Sequence, residues 1–298
     1  MRRALSIPLL LLASLTALAQ TAAPAAPLPD IATLLRDVEL HQQANQHAAH
    51  DYLYKATRTA TRTDGKTHTM EIEFVIVNGV QMHRVTARDG KPLSPDDAAR
   101  EDERANREAA KARERKQKAE REGRSTDQQG EPLIPAARLL ELDTVSNLHR
   151  ELLHGRPTIV FQFHGNRAAK THGVAEEIIA AAEGTAWIDE QDREMARMKA
   201  DLPETFRFGW GLVVDIRKGS GITAEFAPVR DGVWLPVGFT GHGQLRRFLF
   251  SKPVDGSFSV TYSDYRKFGA NVTLRPGAEV EQTTPSPMEN PPAAPPKN

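Results

Sequence analysis

Apolar residues along this chain change period several times, and each change marks an element. Ile31, Leu34, Leu35 and Val38 fall at helical spacing behind Asp30, a good N-cap residue, which predicts a helix running to about residue 50. The period then shortens to two. Residues 52–63 are rich in Tyr and Thr, and Asp64-Gly65 supplies a hairpin turn. Residues 69–77 put Met70, Ile72, Phe74 and Ile76 on one face and Glu71 and Glu73 on the other. Asn78-Gly79 offers a second turn into residues 80–88. Two-residue turns join antiparallel strands, so this stretch predicts a meander.

The alternation breaks at residues 94–132. Ser94-Pro95-Asp96-Asp97 resembles a helix start, and from there to Arg124 alanine is the only apolar residue type. Glu103 with Arg107, and Glu114 with Lys118, stand four apart and offer ion pairs worth ~0.3 kcal/mol each. Such a helix has no face to bury. The segment reads as a solvated charged excursion closed by a loop at residues 123–132, with a partner-binding arm as the alternative.

Strands resume at residues 137–142, 147–153 and 158–164, the last placing Ile159, Phe161 and Phe163 on one face. A short helix is expected over residues 174–182, ended by Gly184, and residues 185–188 and 194–200 form a hairpin around Asp189-Glu190-Gln191-Asp192. Phe206, Phe208, Trp210, Leu212 and Val214 alternate as one strand, and Gly209 and Gly211 opposite them imply strong curvature. Residues 222–226, 233–239, 244–250 and 258–265 bring the total to roughly ten or eleven strands. Six prolines between Pro285 and Pro296 mark a disordered tail.

Composition narrows the class. The chain has 298 residues, 39 Lys and Arg against 39 Asp and Glu, and no cysteine. Balanced charge excludes a nucleic-acid binder, and absent cysteine excludes disulfides and thiolate chemistry. Arg2 and Arg3, an apolar run at residues 5–18 and Ala17-Leu18-Ala19 read as a secretory signal cleaved after Ala19. The run is short for a membrane span, and no cysteine follows it for lipid attachment. The expectation is therefore a periplasmic protein, not membrane-spanning after cleavage. A signal at 1–19 precedes a flexible lead at 20–29, one domain at 30–274 containing the 94–132 excursion, and the tail at 275–298.

Candidate chemistry is sparse. His47 and His50 stand three apart and could approach one metal ion, with His41 on the same helix. No HExxH, paired CxxC or clustered Asp accompanies them, so no metal is expected. His164, His172 and His242 read as loop residues. Lys218-Gly219-Ser220-Gly221 lacks the spacing of a nucleophile elbow and reads as a turn, as do Asp189, Glu190 and Asp192, which cannot supply six oxygens to calcium. No nucleophile and base come together, so neither an enzyme nor a cofactor is expected. What remains is a supply of large apolar residues along one curved sheet. With two apolar helices to cover it, the concave face either holds a cavity for an apolar ligand or is filled by side chains.

Gly184-Thr185-Ala186-Trp187-Ile188-Asp189, with residues 194–199 as the return strand, resembles the outer-membrane lipoprotein carrier (LolA) and RseB/MucB-like superfamily. Phe208-Gly209-Trp210-Gly211, Asp231-Gly232-Val233-Trp234-Leu235-Pro236 and Tyr262-Ser263-Asp264-Tyr265-Arg266-Lys267-Phe268 are similar to secreted bacterial members of that group. So is residues 85–94 followed by a charged helix. The resemblance covers roughly residues 31–270. It implies a mainly β fold with α: a strongly curved antiparallel sheet, an unclosed β-barrel, lidded by short helices. Carriers of this superfamily hold acyl chains in the concavity, and RseB-like members bind lipid-like ligands and a membrane anti-sigma factor. The long charged insertion and proline-rich tail depart from the carriers, so the resemblance does not imply their lipoprotein cargo. The expectation is a non-enzymatic binder of an acyl chain or other hydrophobic amphiphile. From alternation, Phe74, Ile76, Phe161, Phe163, Phe208, Trp210 and Leu212 would line its site. The alternative is an envelope interaction or sensor module with a filled sheet and a protein partner docked on the charged helix.

Overall fold

Turn chemistry fixes the first meander where alternation places it. In the computed structural model, which describes residues 27–127, 129–209, 213–229, 231–247 and 254–268, strands β1 (Tyr52–Arg62), β2 (Thr67–Val77) and β3 (Val80–Arg88) pair antiparallel. A two-residue β4 (Lys91–Pro92) follows on β3. Helix α1 (Ile31–Ala49) precedes them, and Asp30 caps it by accepting from the Thr33 amide at 3.1 Å. The signal segment, its cleavage site, the proline-rich tail and residues Trp210 and Leu212 lie outside the described residues.

After α2 (Pro95–Arg121) and α3 (Ala136–Leu142), the chain adds β5 (Asp143–Leu153) and β6 (Arg156–Gly165). Helix α4 (Val174–Ile179) leads to β7 (Glu183–Asp189), β8 (Met195–Asp201), β9 (Phe206–Phe208) and β10 (Val214–Ile216). Strands β11 (Gly221–Pro228), β12 (Trp234–Arg247) and β13 (Val254–Lys267) complete the fold. These thirteen strands form one sheet in the order β4-β3-β2-β1-β13-β12-β11-β8-β7-β6-β5, with β10 beside β12 and β9 beside β10. Every described pairing is antiparallel, and the β4–β3 end does not meet β5, so the sheet is unclosed. Register shifts interrupt five of the pairings, and each such bulge bends its strand. Among the described residues no helix is long and apolar enough to cross a membrane.

Register separates the two faces. On one, Ala56 stands opposite Ile72 and Tyr262, and farther along the sheet Ile159 stands opposite Ile188 and Phe161 opposite Ala186. On the other, Thr57, Thr59 and Thr61 meet Thr261, Ser259 and Ser257 as a ladder of hydroxyls. The helices cover the apolar face. Leu34, Leu35 and Val38 of α1 press onto Ile159, Phe161, Ala186 and Ile188 together with Ala136 of α3. Burial of each large side chain there contributes ~2 kcal/mol. A second cluster joins Val174 and Ile178 of α4 to Leu202, Phe206 and Phe208.

Five local expectations change. The excursion is indeed a helix, capped by Ser94 with Pro95 at its start, but it does bury a face. Ala105, Ala109 and Ala112 lie within one stripe that packs on Val80 and Met82 of β3. Small side chains allow that close approach, which a search for large apolar residues passes over. The Glu103–Arg107 pair forms at 3.5 Å, whereas Glu114 with Lys118 is not among the ion pairs of the described residues. Residues 137–142, expected as a strand, belong to α3: Ala, Leu, Arg and Glu are helix formers, none is β-branched, and Pro135 sets the start. The expected strand at 206–214 is instead two short strands, β9 and β10, that pair with each other. Gly209 takes φ of +60°, so its missing side chain serves the reversal rather than a curve. Residues 233–239 and the described part of 244–250 form one long strand, β12.

Candidate functional site

The candidate site lies under the polar middle of α1. The helix buries leucines only as far as Val38; Leu40 is 60% exposed, and Ala48 and Ala49 regain contact with Tyr52 and Leu235. Between these anchors Asn45 clamps β12. Its amide nitrogen donates to the Trp234 carbonyl and its oxygen accepts from the Trp234 amide, both at 2.8 Å. The helix is thereby held over the sheet without filling the space below it.

Two cavities adjoin there. One of about 290 Å³ is lined by Gln42, Gln46, Tyr54, Glu194, Phe226 and Trp234 among others. The second, of about 270 Å³, shares Gln46, Tyr54 and Gln81 and adds Phe74, Met82, His83, Asp127 and Gln129. The floor is aromatic. Tyr54 stacks on Phe74 with centroids 4.3 Å apart, and Tyr262 and Tyr265 lie 5.8 and 5.6 Å from Tyr54. Burial, then the neighbouring phenols, push the Tyr54 hydroxyl far above its usual range, and burial pushes Tyr265 up to about 12. These rings are uncharged at any physiological pH. Tyr265 donates its hydroxyl to the Pro236 carbonyl at 2.5 Å.

The free edge of β3 forms one wall, and α2 with the loop after it seals that edge. The Gln81 and His83 carbonyls accept from Gln129 Nε2 at 3.0 Å and Arg104 Nη2 at 2.6 Å, and the Val85 amide donates to Glu101 Oε1 at 3.0 Å. Three polar groups of an edge strand are thus satisfied by side chains instead of another strand. The Arg104 hydrogen bond holds the Glu101 carboxyl below its usual range. On the opposite wall Glu194 is 6% exposed, and burial followed by the Asp192 charge raises its carboxyl to about 7.

Of the seven residues expected from alternation, Phe74 lines the cavity, and Ile76 sits on the same strand opposite Gln81. Phe161 is buried under α1, Phe163 is half-buried between the α1 and α4 clusters, and Phe208 packs in the α4 cluster. Trp210 and Leu212 lie outside the described residues. Tyr54, Gln46, Gln81 and Glu194 escaped the sequence reading. The available signal was the run of polar residues that interrupts the apolar spacing of α1 after Val38.

The other candidates stay apart from this site. His47 and His50 line a groove with Lys116 and Glu120 of α2. His172 Nδ1 lies 3.4 Å from Glu176, and His242 Nε2 lies 3.9 Å from Asp201. Among the described residues no three His, Cys, Asp or Glu side chains are grouped to hold a metal. Asp189 accepts from the Gln191 and Asp192 amides at 3.1 and 2.8 Å, which is turn chemistry. Gly219, at φ of +75°, and Ser220, whose amide donates to the Arg217 carbonyl, likewise form a turn.

No protein-family model matches this sequence, and no curated protein matches it. Several solved structures do. A DUF1329 family protein from Desulfovibrio piger has 11% identity and a TM-score of 0.36 over 82% of this chain and 96% of its own. A putative outer membrane lipoprotein-sorting protein domain from Vibrio parahaemolyticus has 10% identity and a TM-score of 0.34 over 80% of this chain and 95% of its own. A LolA superfamily protein from Nitrosomonas europaea has 10% identity and a TM-score of 0.30 over 76% and 93%. At such scores the shared frame is loose. The chain is thus similar in structure to these proteins, at low identity.

Proposed function

We propose that the protein is a non-enzymatic binder of amphiphiles that takes an apolar chain into the paired cavities beneath α1. The observation that carries this reading is the aromatic floor of Tyr54 and Phe74 under a stretch of helix that offers only polar and small side chains. Ten buried methylenes bring about 8 kcal/mol, the scale of micromolar binding before ordering costs. Phe74 and Ile76 lie on the chain-binding side, whereas Phe161, Phe163 and Phe208 belong to the packed side that keeps the sheet rigid. Arg2 and Arg3, the apolar run and the Ala17-Leu18-Ala19 site make the periplasm the expected compartment. The rival reading, a docking module built on the charged helix, has less support, because the alanine stripe of α2 is spent on sealing β3.

The test is to secrete the protein into a bacterial periplasm, purify it without detergent and record native mass spectra. A neutral naphthylamine fluorophore is then titrated into the same sample. A bound lipid mass, or saturable fluorescence that Phe74→Ser weakens at least fivefold, is the expected result. A bare protein mass with no fluorophore binding would show a sealed interior and return attention to the docking module.

A further inference from the structure

The walls of the two cavities carry charge of one sign. Glu194 lines one and Asp127 the other, His83 lines the second as well, and neither lining includes a lysine or arginine among the described residues. Glu194 is the informative member. It is buried, yet its carboxyl makes no hydrogen bond among the described residues, and only desolvation and the Asp192 charge act on it. Buried polar groups without partners are uncommon in native structures, and an ionised one costs several kcal/mol. Of the nearby guanidiniums, Arg156 is fully engaged, whereas Arg193 is outside both linings and its buried Nη1 has no hydrogen-bond partner among the described residues. Arg156 binds Asp189 and Asp192 at 2.6 and 2.8 Å, and Arg193 leans on Asp37 at 3.9 Å. Asp192 also accepts from the Trp234 indole at 3.0 Å, so it is held in place beside Glu194 and is not free to turn into the cavity.

We infer that Glu194 anchors the polar end of the ligand, and that the preferred amphiphile ends in a primary ammonium and not in a carboxylate. The inference rests on the amphiphile-binding reading and adds the class of headgroup. An ammonium brings three donors and the charge that a carboxylate without a partner lacks. A carboxylate head would instead meet Glu194 with Asp192 behind it, three like charges with no cation in the lining. The apolar chain then runs from Glu194 across Tyr54 toward Phe74, through the residues that the two cavities share.

The full secreted chain, loaded with the neutral fluorophore, is titrated at pH 8 with dodecylammonium, dodecanoate and dodecanol below their aggregation concentrations. Dodecylammonium is expected to displace the fluorophore at a concentration at least tenfold lower than dodecanoate. Glu194→Gln, which keeps shape and removes the charge, should bring the two within threefold. In the unmodified protein, the advantage of dodecylammonium over dodecanol should shrink as pH falls from 8 to 5.5. The groups around the cavities that could contribute to that profile are Asp192, Asp127 and His83. Glu194→Gln separates the contribution of Glu194 from theirs, because the profile should flatten in it. Equal displacement by the two charged heads, or a preference that survives Glu194→Gln, would overturn the headgroup assignment and leave the cavity reading standing. Loss of fluorophore binding altogether would overturn both.

Discussion

The two halves of the helix-bearing sheet face are built on the same alternation and end differently. Over β6 and β7, α1 supplies Leu34, Leu35 and Val38, and Ile159 and Ile188 beneath them are fully buried. Over β1 and β2 the same helix supplies Gln42 and Gln46, and Tyr54 and Phe74 beneath them line cavities. The strands do not differ in kind; the lid does. One helix therefore divides the face into a packed side, which holds the fold, and an unfilled side, which is available to a ligand. Whether an apolar strand face is core or cavity wall is decided here by the residues of the element opposite.

Truncating one residue on the packed side should have the largest effect on stability. Ile159→Ala should cost about 4 kcal/mol, because the site is enclosed on all sides and relaxes poorly. Urea unfolding reads the loss as a lower midpoint at unchanged slope. At a temperature where the variant remains folded, its affinity for the neutral fluorophore should match that of the parent. A variant that folds well but no longer binds would place the ligand on the side described as packed.

The next effect comes from pH. Burial, then the Asp192 charge, raises the Glu194 carboxyl from its ordinary 4.5 to about 7. Between those values the native state holds more protons than the unfolded chain. Unfolding free energy therefore falls as pH rises through that window, by on the order of 2–3 kcal/mol, and is level above it. Burial raises Asp143 to about 6 and adds to the slope in the same sense. Glu101 and Glu190, held low by Arg104 and Arg150, titrate below the window. Denaturation at pH 5 and pH 8 should show the decline in the parent. Glu194→Gln should keep only the smaller Asp143 part, offset by His83, whose imidazole is held below its usual range by burial and so contributes in the opposite sense. It should be the more stable of the two proteins at pH 8. An equal decline in both would mean that Glu194 is not the buried acid it is taken for.

Phe74→Ala is expected to have a smaller effect on stability and a larger one on binding. The ring is half-buried and loses one stacked partner, so the cost should be about 1–2 kcal/mol. Fluorophore affinity should drop severalfold, the reverse of the Ile159→Ala pattern. Equal behaviour of the two variants in both assays would erase the distinction between the halves.

Much of this architecture could be read from the chain, for local reasons. Asp30 and Ser94 are cap residues, Asp64-Gly65 and Asn78-Gly79 leave the chain few alternatives, and β3 matches its expected bounds at Val80 and Arg88. The misreadings have equally local causes. A seven-residue segment such as α3 shows too little period to separate helix from strand, and Gly209 after Phe208 served a reversal that alternation concealed. The site was legible in part. Phe74 falls on the apolar face of a plainly alternating strand. Glu194 is unreadable, because beside Glu190 and Asp192 it looks like one more acid of a surface turn. Its burial is set by α1 and β12, more than thirty residues away on either side.

The smallest effect sharpens the boundary between the halves. Leu40 is the one leucine of α1 that points away from both anchors, and it is 60% exposed, two residues past Val38. If the helix merely bridges the cavities, Leu40→Ala should change stability by less than about 0.5 kcal/mol, since little area returns to water. Binding of the fluorophore should also be unchanged, because Leu40 is absent from the walls of both cavities. A clear loss of affinity with intact stability would extend the ligand's path along the outer side of α1. The site would then be an open groove that uses the helix as a rail, and the polar middle of α1 would be its mouth and not its roof.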